Sequence, residues 1–141
     1  MNSFKVEIVT IGFSPFNEAL EALDAEVTQF ENQEEAIAGL SFRNRNELEM
    51  PTLIICCAGM ERLLYDELAM YCATLSLPVP LIVYDQAFSA LRRRDAKLLD
   101  AVYLTEPISE ERLEQKLLTM IVEQLEKKCN AMVTYHPRME S

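Results

Sequence analysis

Five short apolar runs alternate along the chain with segments whose apolar residues recur every three or four positions. The runs are residues 4–11 (FKVEIVTI), 25–30 (AEVTQF), 52–57 (TLIICC), 81–84 (LIVY) and 101–105 (AVYLT). Each is rich in β-branched or aromatic residues and reads as a strand. Between the first two, Ser14 and Pro15 suit a helix N-cap and first turn, and Phe16, Ala19, Leu20 and Leu23 repeat on one helical face. Residues 33–40 predict a short helix, and the polar residues 41–50 a loop or frayed helix end. Residues 60–75 place Leu64, Leu68, Tyr71, Cys72 and Leu75 on one face, and Pro78 and Pro80 end that pattern. Residues 86–94 predict a weaker helix that ends in Arg92, Arg93 and Arg94.

The last helix carries the clearest local signals. Ser109 is its N-cap, Ile108 and Leu113 form a hydrophobic staple, and Glu110 and Glu111 sit where the helix dipole favours anions. Leu113, Leu117, Met120, Ile121 and Leu125 form one apolar stripe on a helix that runs to about residue 128. Leu118, Val122 and Cys129 form a second stripe, read either as wider core contact or as the face for a partner helix.

Strand–helix alternation of this kind implies a parallel sheet covered on both faces, with right-handed crossovers. The continuous apolar run 52–57 is what a strand buried on both sides requires. The expected architecture is α/β: a flavodoxin-like, doubly wound five-stranded parallel sheet in order 2-1-3-4-5. Function is expected at the carboxyl ends of the strands. Residues 1–130 are read as the domain, and 131–141 as a tail or the start of a linker.

Composition narrows the function. Of 141 residues, 50% are apolar and 26% charged, an ordinary globular balance. The net charge of -10 argues against direct DNA or RNA binding and against anionic membranes. No apolar run approaches the ~20 residues of a membrane span, and the N-terminus lacks the long apolar stretch of a secretory signal, so a cytoplasmic protein is expected. Cys56, Cys57, Cys72 and Cys129 lack zinc-type spacing, and neighbours in a strand point to opposite faces. With Gly12, Gly39 and Gly59 alone, no phosphate-binding loop is written, and His136 is the single histidine. No metal, cofactor or catalytic activity is expected.

The C-terminal third, LIVYDQ followed by a helix and AVYLTEPISEERLEQKLL, resembles the receiver domain of two-component response regulators. Tyr103-Leu104-Thr105-Glu106-Pro107 matches the family's fifth-strand end, proline included, and the likeness covers about residues 4–125. It implies a CheY-like fold and assigns roles that this chain does not fill. Where receivers pair acids at the first strand's end to hold Mg²⁺, this chain has Thr10 and Ile11. Cys57 stands at the phosphoacceptor aspartate, Asp85 at the switch Thr or Ser, and Glu106 at the lysine that pairs with the phosphate. Magnesium needs hard oxygen ligands, and a thiol cannot form an acyl phosphate. The resemblance is therefore to a degenerate, pseudoreceiver type. Tyr103 keeps the switch aromatic, whose ring the family likeness has rotating between buried and exposed states; otherwise it is an aromatic residue in a strand.

AGLSFRNRNE, LRRRDAKLLDAVYLTEP and the leucine-rich helix after it further resemble the N-terminal domain of flagellar master regulators, which are sigma-54-dependent activators. That likeness implies an effector domain downstream in the full-length chain. The expected function is a phosphorylation-independent regulatory domain acting by protein–protein contact. A homodimer through the fourth helix, fifth strand and fifth helix would use Arg92, Arg93, Arg94, Leu118 and Val122. The arginines read equally as a solvated helix end. The alternatives are a conventional phosphoacceptor and a cysteine-based redox or small-molecule sensor at Cys57. The expected Cys57 is exposed but slow to react, because Asp85 and Glu106 beside it oppose the thiolate, which counts against the sensor.

Overall fold

A computed structural model describes residues 6–12, 16–58 and 65–135. Five strands, β1 (Glu7–Ile11), β2 (Glu26–Phe30), β3 (Leu53–Ala58), β4 (Leu81–Asp85) and β5 (Val102–Thr105), form one sheet in order β2-β1-β3-β4-β5. Every pairing is parallel. The helices α1 (Asn17–Ala22), α2 (Gln33–Arg45), α3 (Asp66–Ala73) and α4 (Ala90–Leu98) connect successive strands, and α5 (Glu110–Tyr135) follows β5. This is the flavodoxin-like topology that the alternating pattern predicts. The core has two halves. Ile8, Ile55, Ile82 and Tyr84 pack with α1 and α5 through Leu20, Leu117 and Ile121. Val9, Ile11, Ile54 and Cys56 pack on the other face with α2 and α3 through Leu40, Leu68 and Cys72. Leu53, Ile54, Ile55 and Cys56 have no exposed surface, so β3 is buried on both sides as its composition demands.

Several boundaries differ from the sequence expectation: α3 starts at Asp66, after Tyr65, rather than at residue 60, and α2, α4 and α5 differ as well. Helix α2 continues to Arg45 instead of ending at Leu40. The Asn46 side chain donates to the Phe42 carbonyl at 2.8 Å, and Leu48 N–H bonds to the Arg43 carbonyl at 2.8 Å across a left-handed Glu47, which together close the helix. Gly39 lies inside this helix because a Cβ there would stand 2.9 Å from the Phe30 ring. Helix α4 begins after Ser89, whose Oγ accepts from Arg92 N–H at 3.2 Å, rather than at Gln86. The arginine triplet therefore occupies the start and middle of α4, not its end. Helix α5 runs on to Tyr135, so residues 131–135, expected in a tail, are helical. The anticipated Ser14 cap, Pro15, Leu64 and His136 lie outside the described residues. No helix among the described residues is long and apolar enough to cross a membrane.

At the amino end of the sheet, Glu7 ties three elements together. Arg43 of α2 donates to both of its carboxylate oxygens, at 2.7 and 2.8 Å, and the Thr28 hydroxyl of β2 donates at 2.7 Å. The bidentate arginine holds the Glu7 carboxyl below its ordinary value against the opposing effect of burial. A carboxylate with a depressed folded-state pKa stabilises the fold above its unfolded value of about 4.3, and that contribution is lost as pH falls through the folded value. Glu7→Gln is therefore expected to be less stable than wild type at neutral pH and to show a flatter loss of stability on acidification. Urea midpoints from pH 7 down to pH 3 measure it; parallel curves for the two proteins would remove the role given to Glu7.

Candidate functional site

The carboxyl ends of β1, β3, β4 and β5 converge at one end of the sheet. Thr10 and Ile11 close β1 and are 1% and 0% exposed. Cys57, near the end of β3, lies opposite Tyr84 and is 5% exposed, packed among Ile55, Tyr84 and the α1 side of the core. The exposed thiol expected at this position is thus a buried one. Alternation along the strands explains it: Cys57 shares its face with Tyr84, and it is Ala58 that pairs in register with Asp85. Burial also pushes the Cys72 thiol up to about 12 and the Cys56 thiol up as well. These directions disfavour thiolates in the core.

Asp85 is the centre of a network that the sequence did not announce. Its residue is 2% exposed, and its carboxylate has two partners on two elements. Arg92 Nη1 of α4 donates to Oδ1 at 2.9 Å, and the Tyr103 hydroxyl of β5 donates to Oδ2 at 2.8 Å. That hydroxyl in turn accepts the Ser89 backbone N–H at 3.0 Å. Phe88 meets the Tyr103 ring edge-on, with centroids 6.2 Å apart. The loop entering α4, the end of β4 and the middle of β5 are held together through one tyrosine oxygen and one carboxylate. Burial, with the Asp85 carboxylate beside it, raises the Tyr103 hydroxyl above its ordinary pKa, so it stays a proton donor. Arg92, a cation at this end of the sheet, is already held by Asp85, with its side chain 36% exposed.

On the opposite face, Glu106 accepts from the Tyr84 hydroxyl and, at 3.1 Å, from Ile108 N–H. Phe16 packs edge-on against Tyr84 at 4.4 Å. A cavity of about 230 Å³ opens beside them, floored by Phe16, Ala19, Ile108 and Leu113 and rimmed by Glu18, Glu106 and Glu110. Its rim repels anions. Asp85 and Glu106, expected to flank Cys57 together, instead serve separate networks on the two faces of the sheet.

The structure thus brings Asp85, Arg92 and Tyr103 into contact and leaves Arg93 and Arg94 exposed on α4. Leu118 and Val122 stand apart, on the outer side of α5. The residues at the metal positions do not fit Mg²⁺. Buried Thr10, Ile11 and Cys57 offer no carboxylate, and Asp85 is committed to Arg92 and Tyr103. Among the described residues, no three His, Cys, Asp or Glu side chains are grouped to hold a metal ion.

The sheet order, the five crossing helices and the convergence of strand ends define the fold of response-regulator receiver domains. Solved structures with this fold include the signal receiver domain of a LuxO repressor protein from Vibrio parahaemolyticus, 14% identical, with a TM-score of 0.69 over 89% of this chain and 97% of that one. A response regulator receiver protein from Burkholderia phymatum is 17% identical, with a TM-score of 0.67 over 83% of this chain and 95% of that one. The chemotaxis protein CheY4 of Vibrio cholerae is 16% identical, with a TM-score of 0.63 over 83% of this chain and 99% of that one. No protein-family model matches the chain, and no curated protein matches it.

Proposed function

We propose that this domain is a pseudoreceiver: a regulatory module with the receiver fold that signals by protein contact without taking a phosphoryl group. The observation that supports this most is Asp85. Where the receiver likeness calls for a hydroxyl that would meet the phosphate, a buried carboxylate already holds Tyr103 and Arg92. A phosphoryl group arriving beside it would meet an anion whose cationic partner is taken. Thr10, Ile11 and Cys57 supply neither magnesium ligands nor an acyl acceptor, and Glu106 reverses the charge of the phosphate's lysine partner. With no phosphate to bias it, the Tyr103 rotamer answers to whatever binds the α4 side of the domain. A bacterial cytoplasmic signalling or transcription-regulatory chain is the setting in which such a module operates. The LRRRDAKLLDAVYLTEP segment favours a flagellar activator of the sigma-54-dependent type.

Incubation with acetyl phosphate and Mg²⁺, followed by intact mass measurement, tests this reading. No adduct is expected. Stoichiometric gain of one phosphoryl group would overturn it.

A further inference from the structure

The described surface carries two rows of exposed apolar side chains on helices, and they are matched in charge. On α4, Leu91 and Leu98 are 59% and 77% exposed, and seven residues of separation stacks them on one face. Phe88 precedes them at 57%. Exposed Arg94 and Lys97 run along one flank, with Arg93 farther round, while exposed Asp95 lies on the other flank, 3.9 Å from Arg94. On α5, Leu118 and Val122 are 50% and 45% exposed, with exposed Cys129 two turns below Val122. Glu111, Glu114 and Glu126 border that row. One row is apolar with a margin of three cations and one acid, Asp95, and the other is apolar with an acidic margin.

The two rows do not share a surface. Helix α5 packs on the face of the sheet that α1 covers, whereas Leu99, at the end of α4, packs with the α2 and α3 half of the core. The flank of α5 nearest β5 carries Arg112, Gln115, Lys116 and Thr119, which with Leu104 and Ile108 line an open cavity of about 410 Å³. At about 100° per residue, Leu118 and Val122 lie roughly 70–110° round the helix from the middle of that flank. A twofold pair could place α4 of each copy on α5 of the other only if both rows faced the same way.

We propose that the occupant of each row is the other row on a second copy of this chain: α4 of one copy docks on the outer face of α5 of the next. This deepens the reading of the domain as a contact module and rests on it. Phe88, Leu91 and Leu98 bury against Leu118 and Val122, while Arg94 and Lys97 meet Glu111, Glu114 or Glu126. Because the two contacting surfaces differ, the contact is heterologous and each copy retains one unused row. Association extends beyond two copies unless the rotation closes a ring. The net charge of -10 opposes it and keeps the contact weak.

The test uses two double variants at solvent-exposed positions, Leu91→Glu with Leu98→Glu, and Leu118→Glu with Val122→Glu, their fold checked by circular dichroism. Sedimentation velocity follows each at high micromolar concentration. Wild type is expected to form species larger than a dimer. Each variant alone is expected to be monomeric, and an equimolar mixture to form a one-to-one dimer that grows no further, because only one competent pair of rows remains. Monomeric wild type, a monomeric mixture, a wild type that stops at a dimer, or a variant that still self-associates would each overturn the head-to-tail contact. None of these outcomes depends on acetyl phosphate, so failure here and failure of the phosphorylation reading are read separately.

Discussion

Replacing Asp85 with Ala is expected to lower stability by about 2 kcal/mol, the range for losing charge-assisted bonds and stranding a polar partner. The Tyr103 hydroxyl loses its acceptor, and Arg92 loses its carboxylate. Arg92 is about a third exposed and recovers part of its loss in water, which keeps the cost below that of a fully buried pair. For a domain of this size the melting temperature should fall by roughly 6–8 °C. Asp85→Asn keeps one acceptor and should cost about half as much. The local consequence matters more for function. Ser89 N–H donates to the Tyr103 hydroxyl and Phe88 packs on its ring, so release of Tyr103 should broaden amide signals over residues 86–92 while the β1–β3 strands stay sharp. An alanine variant as stable as wild type, with unchanged spectra in that loop, would mean that the latch holds nothing.

The second large effect lies away from the strand ends. Gln33, the first residue of α2, is 2% exposed, yet its side chain serves another helix. Its Oε1 accepts the Leu68 N–H at 3.1 Å, and its Nε2 donates to Asp66 Oδ1 at 3.3 Å. Helix α3 has Tyr65 at its N-cap and gains no side-chain cap from it, so Gln33 supplies the missing acceptor from outside. Gln33→Ala leaves a buried N–H without a partner and should cost about 2 kcal/mol. Hydrogen exchange at Leu68 should accelerate about 30-fold, since each 1.4 kcal/mol is tenfold. Gln33→Glu keeps the acceptor but loses the donor and sets a buried carboxylate against that of Asp66, so it should recover little of the protection. Unchanged exchange in the alanine variant would assign the start of α3 to its own residues alone.

The parts of the fold that were legible rest on periodicity. The run 53–57 is apolar at every position, as a strand covered on both faces requires, and the structure buries it. The staple of Ile108 and Leu113 around Ser109 marked the start of α5, where Ser109 Oγ does accept from Arg112 N–H. The strand-end chemistry was half legible. That Thr10, Ile11 and Cys57 carry no acid is a matter of identity and can be read directly. What Asp85 does cannot, because its partners are fixed by where α4 begins. With α4 read from Gln86, the arginines fall at a helix end, where cations suit the dipole. With Ser89 as cap, Arg92 comes back over the strand end and meets Asp85. Ser89 was the missed signal: a capping residue three positions before Arg92, within an otherwise weak helical pattern. Gln33 carried no signal at all, since its role is to complete a helix 33 residues further along. The outward row on α5 was legible as a second stripe, but its turn away from β5 depends on how α5 rolls on the sheet.

A domain of this fold whose Asp85 holds Tyr103 in place of a phosphoryl-dependent switch has a direct spectroscopic signature. An amide correlation spectrum of the uniformly ¹⁵N-labelled domain, recorded with Mg²⁺ and then with beryllofluoride added, measures it most directly. No saturable shifts are expected at residues 10–12, 56–58, 85–89 or 103–106 with either addition. Saturable shifts at those strand ends, carried into α4 and β5 on adding beryllofluoride, would contradict that expectation and return the domain to phosphorylation control.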